Sequence, residues 1–314
     1  MGRERAEDFL EGHVIRPMAA RRLRKWWPAA PVAVVVATVL WPSVQVTPAS
    51  HDETVRETTS AESDLLHRAE EILVRDCMAQ KGFRYWPKPL DPVLDYREFP
   101  YVVDDVKWAK AHGYGRDIER ALDWEDRFSP RALYYRALPE DRLRAAKISL
   151  IGERPEGLEV THPLIGSMTH SDRGCVAEAW RQLYHDAEAW FGAKQVTSSL
   201  SGMRMSLVTA DAAFRQRIAH WSRCMRARGF TTPDPLALRR ERLATEGPYT
   251  GAEERRAAVA EAECAHSSGL AKTARERDIH YAAVVRERYR PFFDTLGRLQ
   301  QAALPQARLI VGKS

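Results

Sequence analysis

Four cysteines, Cys77, Cys175, Cys224 and Cys264, are the residues of this 314-residue chain best equipped for chemistry, and their spacing decides which chemistry is open to them. Their separations of 98, 49 and 40 residues contain no C-x-x-C, which excludes zinc-ribbon, iron–sulfur and thioredoxin-type use. An even number in an exported chain points to two disulfides, and four cysteines allow three connectivities. Other candidates are weaker. His185 and Glu188, three apart on a helix, could be half of a metal site, but a solvated pair is the commoner use of that spacing. His162 and His170, in a loop before Cys175, could converge on a metal ion, yet no third ligand is identifiable. Asp104-Asp105 and Glu125-Asp126 could carry acid–base hydrolysis of a glycan if they faced each other across a cleft. Gly166-Ser167 and Ser267-Ser268-Gly269 lack neighbours that would activate a serine, and Gly113-Tyr114-Gly115 is too short for a phosphate loop. G-x-S-x-G, Walker A, G-x-G-x-x-G and H-E-x-x-H do not occur, so no catalytic residue, metal or cofactor is expected.

The cysteines must be positioned by helices. Val74-Arg-Asp-Cys77-Met78-Ala-Gln-Lys-Gly82-Phe83 is echoed by Trp221-Ser-Arg-Cys224-Met225-Arg-Ala-Arg-Gly229-Phe230. Each reads as a last helical turn carrying the cysteine, with glycine at a left-handed C-cap. Cys175 and Cys264 match less well, each lying in an Ala/Glu-rich helical stretch. If each half is one copy of a unit, the pairs are Cys77–Cys175 and Cys224–Cys264. Thr59-x-x-Glu62 and Thr250-x-x-Glu253 are capping boxes, the first opening a helix to about Gln80. Apolar residues recur at helical spacing from Leu65 to Cys77, from Val176 to Phe191 over five turns, from Phe214 to Met225, and from Val284 to Leu296 with a break at Pro291. No stretch shows sustained strand alternation. The expected fold is all-α: two pseudo-repeated units, 59–195 and 200–303, each closed by a disulfide, with a tail at 304–314.

Residues 84–170 have no counterpart in the second half and read as an insertion. It opens on Trp86-Pro-Lys-Pro-Leu-Asp-Pro92, an extended segment, and continues with short helices near 103–112, 116–125 and 130–150, the last starting at Ser129-Pro130. Tyr96, Tyr101, Trp108, His112 and Tyr114 crowd this region. They form either a ligand or partner surface or a satellite core, and helical spacing favours packing.

The formal net charge of +5 is concentrated at the start. Residues 1–50 hold seven basic and four acidic side chains, leaving 41 basic and 39 acidic in the other 264. With mixed signs along Arg239–Arg242 and Glu253–Arg256, the body offers no nucleic-acid footprint, so no nucleic acid is expected as partner. Asparagine is absent, so no N-x-S/T glycosylation site exists. Arg21-Arg22-Leu23-Arg24-Lys25 precedes the apolar run Pro31–Trp41. A basic region 1–25, an apolar segment 26–46 and a linker 47–58 are the layout of an export signal, cut near Ala49, or of a single-pass membrane anchor flanked by Trp26, Trp27 and Trp41. Met18 is a second candidate start. Arg21-Arg22 is a poor twin-arginine signal, since no hydrophobic continuation follows.

The order C-M-x-x-x-G-F, then W-A-x-x-H-G-Y-G over Trp108–Gly115, then G-C-x-A-E-A over Gly174–Ala179, then a second C-M-x-x-x-G-F and a cysteine on a long C-terminal helix resembles a group of four-cysteine, exported, often lipoprotein-like helical proteins of actinobacteria. The resemblance covers roughly residues 60–300 and implies an extracytoplasmic location and a helical fold. It carries over no catalytic residue, and this chain lacks the lipid-anchoring cysteine. The expected function is a non-catalytic cell-envelope binding protein whose partner is an envelope protein or a small ligand. The alternatives are a cell-wall hydrolase using the carboxylates of 88–170 and a cytosolic helical protein with reduced cysteines.

Overall fold

Thr59 and Glu62 close a capping box in the computed structural model, which describes residues 56–90, 96–243 and 251–313. The Thr59 hydroxyl accepts the Glu62 N–H at 3.2 Å and the Glu62 carboxylate accepts the Thr59 N–H at 2.9 Å. Helix α1 (Ser60–Gln80) starts there and buries Leu66, Ala69, Val74 and Met78. The apolar 26–46 segment lies outside the described residues; among those described, no helix is long and apolar enough to cross a membrane.

Among the described residues, twelve helices and one hairpin follow one another in chain order. Short helices α2 (Val106–His112), α3 (Arg116–Phe128), α4 (Pro130–Ala137) and α5 (Glu140–Ile151) lead to strands β1 (Gly157–His162) and β2 (Gly166–Ser171). Then come α6 (Cys175–Tyr184), α7 (Ala187–Ala210), α8 (Ala212–Ala227), α9 (Pro235–Leu243), α10 (Ala252–Ser267), α11 (Leu270–Arg288) and α12 (Arg290–Gly312). Ser129 caps α4 through the Ala132 N–H with Pro130 in the first turn, as its side chain and the fixed φ of proline require.

The two C-M-x-x-x-G-F segments fold identically. Phe83 donates its N–H to the Met78 carbonyl and Phe230 to that of Met225, each at 2.9 Å, while Gly82 and Gly229 donate to Ala79 and Arg226 at 3.0 Å. Those are the paired bonds of a Schellman motif. They require a left-handed residue after the helix, supplied by Gly82 at φ 78° and Gly229 at φ 83°. Methionine and phenylalanine of each motif are buried, so helix end and core are fixed together. The cysteine sits one residue before the methionine and reaches the neighbouring helix. The disulfides are Cys77–Cys175, joining α1 to α6 with Cα atoms 5.6 Å apart, and Cys224–Cys264, joining α8 to α10 at 5.7 Å. Beyond the motif the parallel weakens: Cys175 opens α6, whereas Cys264 lies in the last turn of α10.

Four details differ from expectation. Residues 157–171 are not a loop but an antiparallel hairpin with Gly157 opposite Ser171 and His162 opposite Gly166. Leu158 and His162 are buried on one face, and β1 packs on α7. The five-turn helix expected over 176–191 breaks at His185, whose φ of 63° ends α6, and Asp186 starts α7 by accepting the Ala189 N–H at 2.9 Å. Thr250 lies outside the described residues, and α10 has Gly251 at its N-cap. The tail expected from 304 is helical to Gly312, with Leu304 and Ala307 buried. Pro305 is accommodated inside that helix, while the break expected at Pro291 is present as the boundary between α11 and α12.

α12 lies on α1, α6 and α7; α11 lies on α7, α8 and α10. The core around the second disulfide contains Trp221, Met225, Cys264 and Leu270, together with Val102, Val103, Ala109 and Tyr114. Segment 97–114, read as an insertion in the first unit, is therefore built into the core of the second half. Residues 56–58 are tied down as well, with Arg56 bonded to Glu62 and Gln301, and Glu57 paired with Arg286.

Candidate functional site

Helix α10 carries two opposite sets of residues. Its inner face is alanine (Ala257, Ala258, Ala262, Ala265) with Glu254 and Glu261, seven apart and so two turns along one face. Small side chains let α2 and the chain before it approach closely. Two buried carboxylates then require donors, because an unpartnered buried charge costs several kcal/mol. Glu261 is fully buried and accepts the Val103 N–H at 2.7 Å and the Tyr114 hydroxyl at 2.8 Å, with the Arg239 guanidinium 3.5 Å away. Glu254 accepts the Tyr114 N–H at 2.6 Å and faces Arg116 at 3.6 Å. A side chain at Gly113 would place its Cβ 2.7 Å from that Glu254 oxygen, so glycine is needed at this approach. Arg239 also donates to the Phe99 carbonyl, and Arg116 to that of Arg242. Burial raises both glutamate pKa values, and it raises the Tyr114 phenol together with the nearby Glu261. This frame fixes residues 99–116, α9 and α10 relative to one another.

The outer edge of the frame is a shallow groove of about 360 Å³. Phe230 and Val259 line its floor; Lys110 comes from α2, Arg228 from the end of α8, and Arg255 and Arg256 from α10. Phe230 is the last residue of the second Schellman motif. The guanidinium carbons of Arg242 and Arg256 stand 5.6 and 5.5 Å from its ring centroid, within cation–π range. Arg228 is paired with Glu263. Lys110, Arg255 and Arg256 have no carboxylate partner among the described residues, which leaves three unneutralised cations around an apolar floor. The remainder of the body beyond residue 50 is almost charge-balanced, so the excess is local. Such a groove can bind an anion that also carries apolar surface.

The five candidate aromatic-region residues do not form one surface. Trp108 and Tyr114 are 7% and 9% exposed and sit in the core or at its edge, while Tyr96 is 53% exposed. Tyr101 is half-buried, with its hydroxyl on Asp278 at 2.5 Å. His112 packs at a tilt against Trp108, ring centroids 5.3 Å apart, and pairs with Asp117 at 2.9 Å. Packing claims Tyr101, whose ring meets Phe214 of α8, Tyr114, which belongs to the core with α8 and α10, and Trp108, whose ring lies against Phe99 and His112. The nearest cations, not the rings, face solvent.

The remaining candidates are occupied with local structure. His162 and His170 lie toward opposite ends of the hairpin, so they do not converge on a metal; among the described residues no cluster of three metal-binding side chains occurs. His162 Nδ1 accepts the N–H groups of Leu164 and Ile165 at 3.1 and 3.3 Å. Its proton is therefore on Nε2, donated to Ser199, and the ring cannot act as base toward that hydroxyl. His170 packs against Trp180 and Phe191. His185 ends α6 and Glu188 lies in the first turn of α7, so the pair does not share a helix face. Ser167 donates to Glu159, and Ser267 to the Cys264 carbonyl. Asp105 caps α2 at the Trp108 N–H and pairs with Arg97, which holds its carboxyl below the ordinary range; Asp104 pairs with Arg275 and Asp126 with Arg131, while Glu125 is exposed on α3.

The groove itself was missed in the sequence because Glu253–Arg256 mixes charges like any solvated face. The signal that marks it is the pairing of Glu254 with Glu261 on an alanine face, which fixes the orientation of α10 and sends Arg255 and Arg256 outward. Comparison with protein-family models, curated proteins and solved structures finds no match to this chain.

Proposed function

We propose that this protein is a non-catalytic, extracytoplasmic binding protein of the cell envelope that engages its ligand or partner through the basic groove between α2, α10 and the end of α8. The observation that carries the reading is three cations without carboxylate partners among the described residues, over an apolar floor, on a frame rigidified by buried carboxylates and a disulfide. A cationic groove that no described carboxylate neutralises keeps a local field available for an anionic partner.

Two disulfides support the location, since such bonds persist in oxidising compartments. The basic-then-apolar leader and the resemblance to exported four-cysteine proteins point the same way. Either a cut signal or a retained anchor at 26–46 is compatible with binding by the folded body. Labelling intact cells with a membrane-impermeant thiol reagent tests the placement. Thiols labelled only after treatment with an impermeant reductant fit the proposal, and freely reactive cysteines in the cytosolic fraction would refute it.

A further inference from the structure

The shape and charge of the groove define the chemistry of what occupies it. Its cations come from three separate elements, Lys110 on α2, Arg228 after α8 and Arg255 with Arg256 on α10, so negative charge is wanted at several points rather than one. Between them lie Val259, Phe230 and the aliphatic stems of the arginines, a floor that a bare inorganic anion would leave exposed. Phe230 is only 4% exposed beneath the Arg242 and Arg256 guanidinium groups, so an occupant meets its ring at the edge. The chain also provides its own example of a fitting group: the Glu263 carboxylate sits on Arg228 at the edge of the groove. Arginine forks favour planar carboxylates in this way. A volume of about 360 Å³ suits a few side chains of a peptide rather than a folded domain.

On the reading that this is a binding protein, we infer that the groove docks an acidic peptide segment of a partner protein, with carboxylates on either side of an apolar side chain. Its carboxylates pair with Arg255, Arg256 and Lys110, and its apolar residue covers Val259 and the edge of Phe230. Glu263 competes for Arg228 and sets an upper limit on affinity.

The test uses the purified full chain and a fluorescent synthetic peptide with leucine and phenylalanine flanked on both sides by glutamates, followed by anisotropy. The acidic peptide should bind, a lysine-flanked version should not, and raising salt from about 0.05 to about 0.5 M should weaken binding steeply. The double variant Arg255→Glu/Arg256→Glu should weaken it by at least roughly tenfold. Both side chains are exposed and without carboxylate partners among the described residues, so only the Arg256–Phe230 contact is lost and the thermal midpoint should fall by no more than about a few degrees. Glu263→Gln should act in the opposite direction, tightening binding about two- to threefold by freeing Arg228, a gain that misfolding cannot produce. No binding by the acidic peptide, or equal binding by the double variant, overturns the inference. So does competition by phosphatidylglycerol vesicles with an affinity matching the peptide, which would make the groove a lipid-headgroup site. Failure here with thiol labelling still extracytoplasmic would reject the peptide chemistry and leave the location intact.

Discussion

Removing the Glu261 carboxylate should be among the most damaging single changes available in this protein. In Glu261→Ala the Val103 N–H, the Tyr114 hydroxyl and the Arg239 guanidinium all lose their buried acceptor. Each orphaned donor costs about 1–3 kcal/mol, and breaking a buried ion pair about 3–5 kcal/mol. These contributions overlap, so the expected loss is about 4–5 kcal/mol, a large part of the stability of a typical domain. Glu261→Gln retains size and two hydrogen-bonding atoms: its amide oxygen can accept from Val103 and its NH2 can donate to the Tyr114 oxygen, which leaves the Tyr114 hydroxyl proton without this acceptor and the charge on Arg239 unanswered. About 1–2 kcal/mol is expected. Urea unfolding of the full chain, followed by circular dichroism with the slope checked for constancy, reads both values. A loss below about 1 kcal/mol for alanine, or equal losses for alanine and glutamine, would refute the view that this carboxylate organises segment 99–116 on α10.

Burial raises the pKa of Glu254 and Glu261 above 4.5, so the folded state keeps their protons to higher pH than the unfolded chain. Their contribution is complete below about 4.5 and drains as pH rises through the folded values; the double variant Glu254→Gln/Glu261→Gln should therefore show a flatter stability profile above pH 4.5 than the parent in pH-dependent urea titrations. Glu62 has the opposite sign: hydrogen bonding to Arg56 holds it at about 2, so its contribution is present above 4.5 and lost on acidification towards 2, a loss absent in Glu62→Gln. Replacing Cys77 and Cys175 by serine opens a 98-residue loop and replacing Cys224 and Cys264 a 40-residue loop, which on chain entropy should cost about 4.7 and about 3.9 kcal/mol, read by unfolding of each double variant against the parent. Gly229→Ala meets open space and suffers only backbone strain of about 1 kcal/mol. Gly174→Ala would drive a Cβ to 2.6 Å from the Gly152 nitrogen and 2.8 Å from the Leu150 oxygen, so a loss above about 3 kcal/mol should appear in the same assay.

Helices were readable where a stripe of large apolar residues repeats, as in Leu66 to Met78 or Phe214 to Met225, and the Schellman ends were readable because glycine and phenylalanine stand at fixed distances from the cysteine. The connectivity followed from that repeat. The hairpin escaped because β1 offers only three inward positions, Leu158, Val160 and His162, while Gly-Ser-Met-Thr-His-Ser of β2 is polar. Its stability comes from packing on α7, where Val160 lies against Gly192. The break at His185 was hidden by apolar periodicity running through it, and only Asp186 as a capping residue marked it. Segment 97–114 reads as a first-half insertion since sequence neighbours set the expectation; its partners, Glu254 and Glu261, lie about 150 residues away. The cations of the groove were invisible for the same reason, since Lys110, Arg228 and Arg255 meet only in three dimensions.

The most direct test is photocrosslinking in cells from a photoreactive residue at position 255, with position 144 on α5 as an exposed control. Trp108, crowded by aromatics in the sequence, is buried and unsuitable as a probe. One defined adduct with an envelope component is expected from position 255, lost when Arg256 and Lys110 are changed to glutamate and absent from position 144. Adducts of equal yield from both positions, an adduct indifferent to the charge reversal, or none from position 255 while the disulfides remain intact would contradict the proposed function.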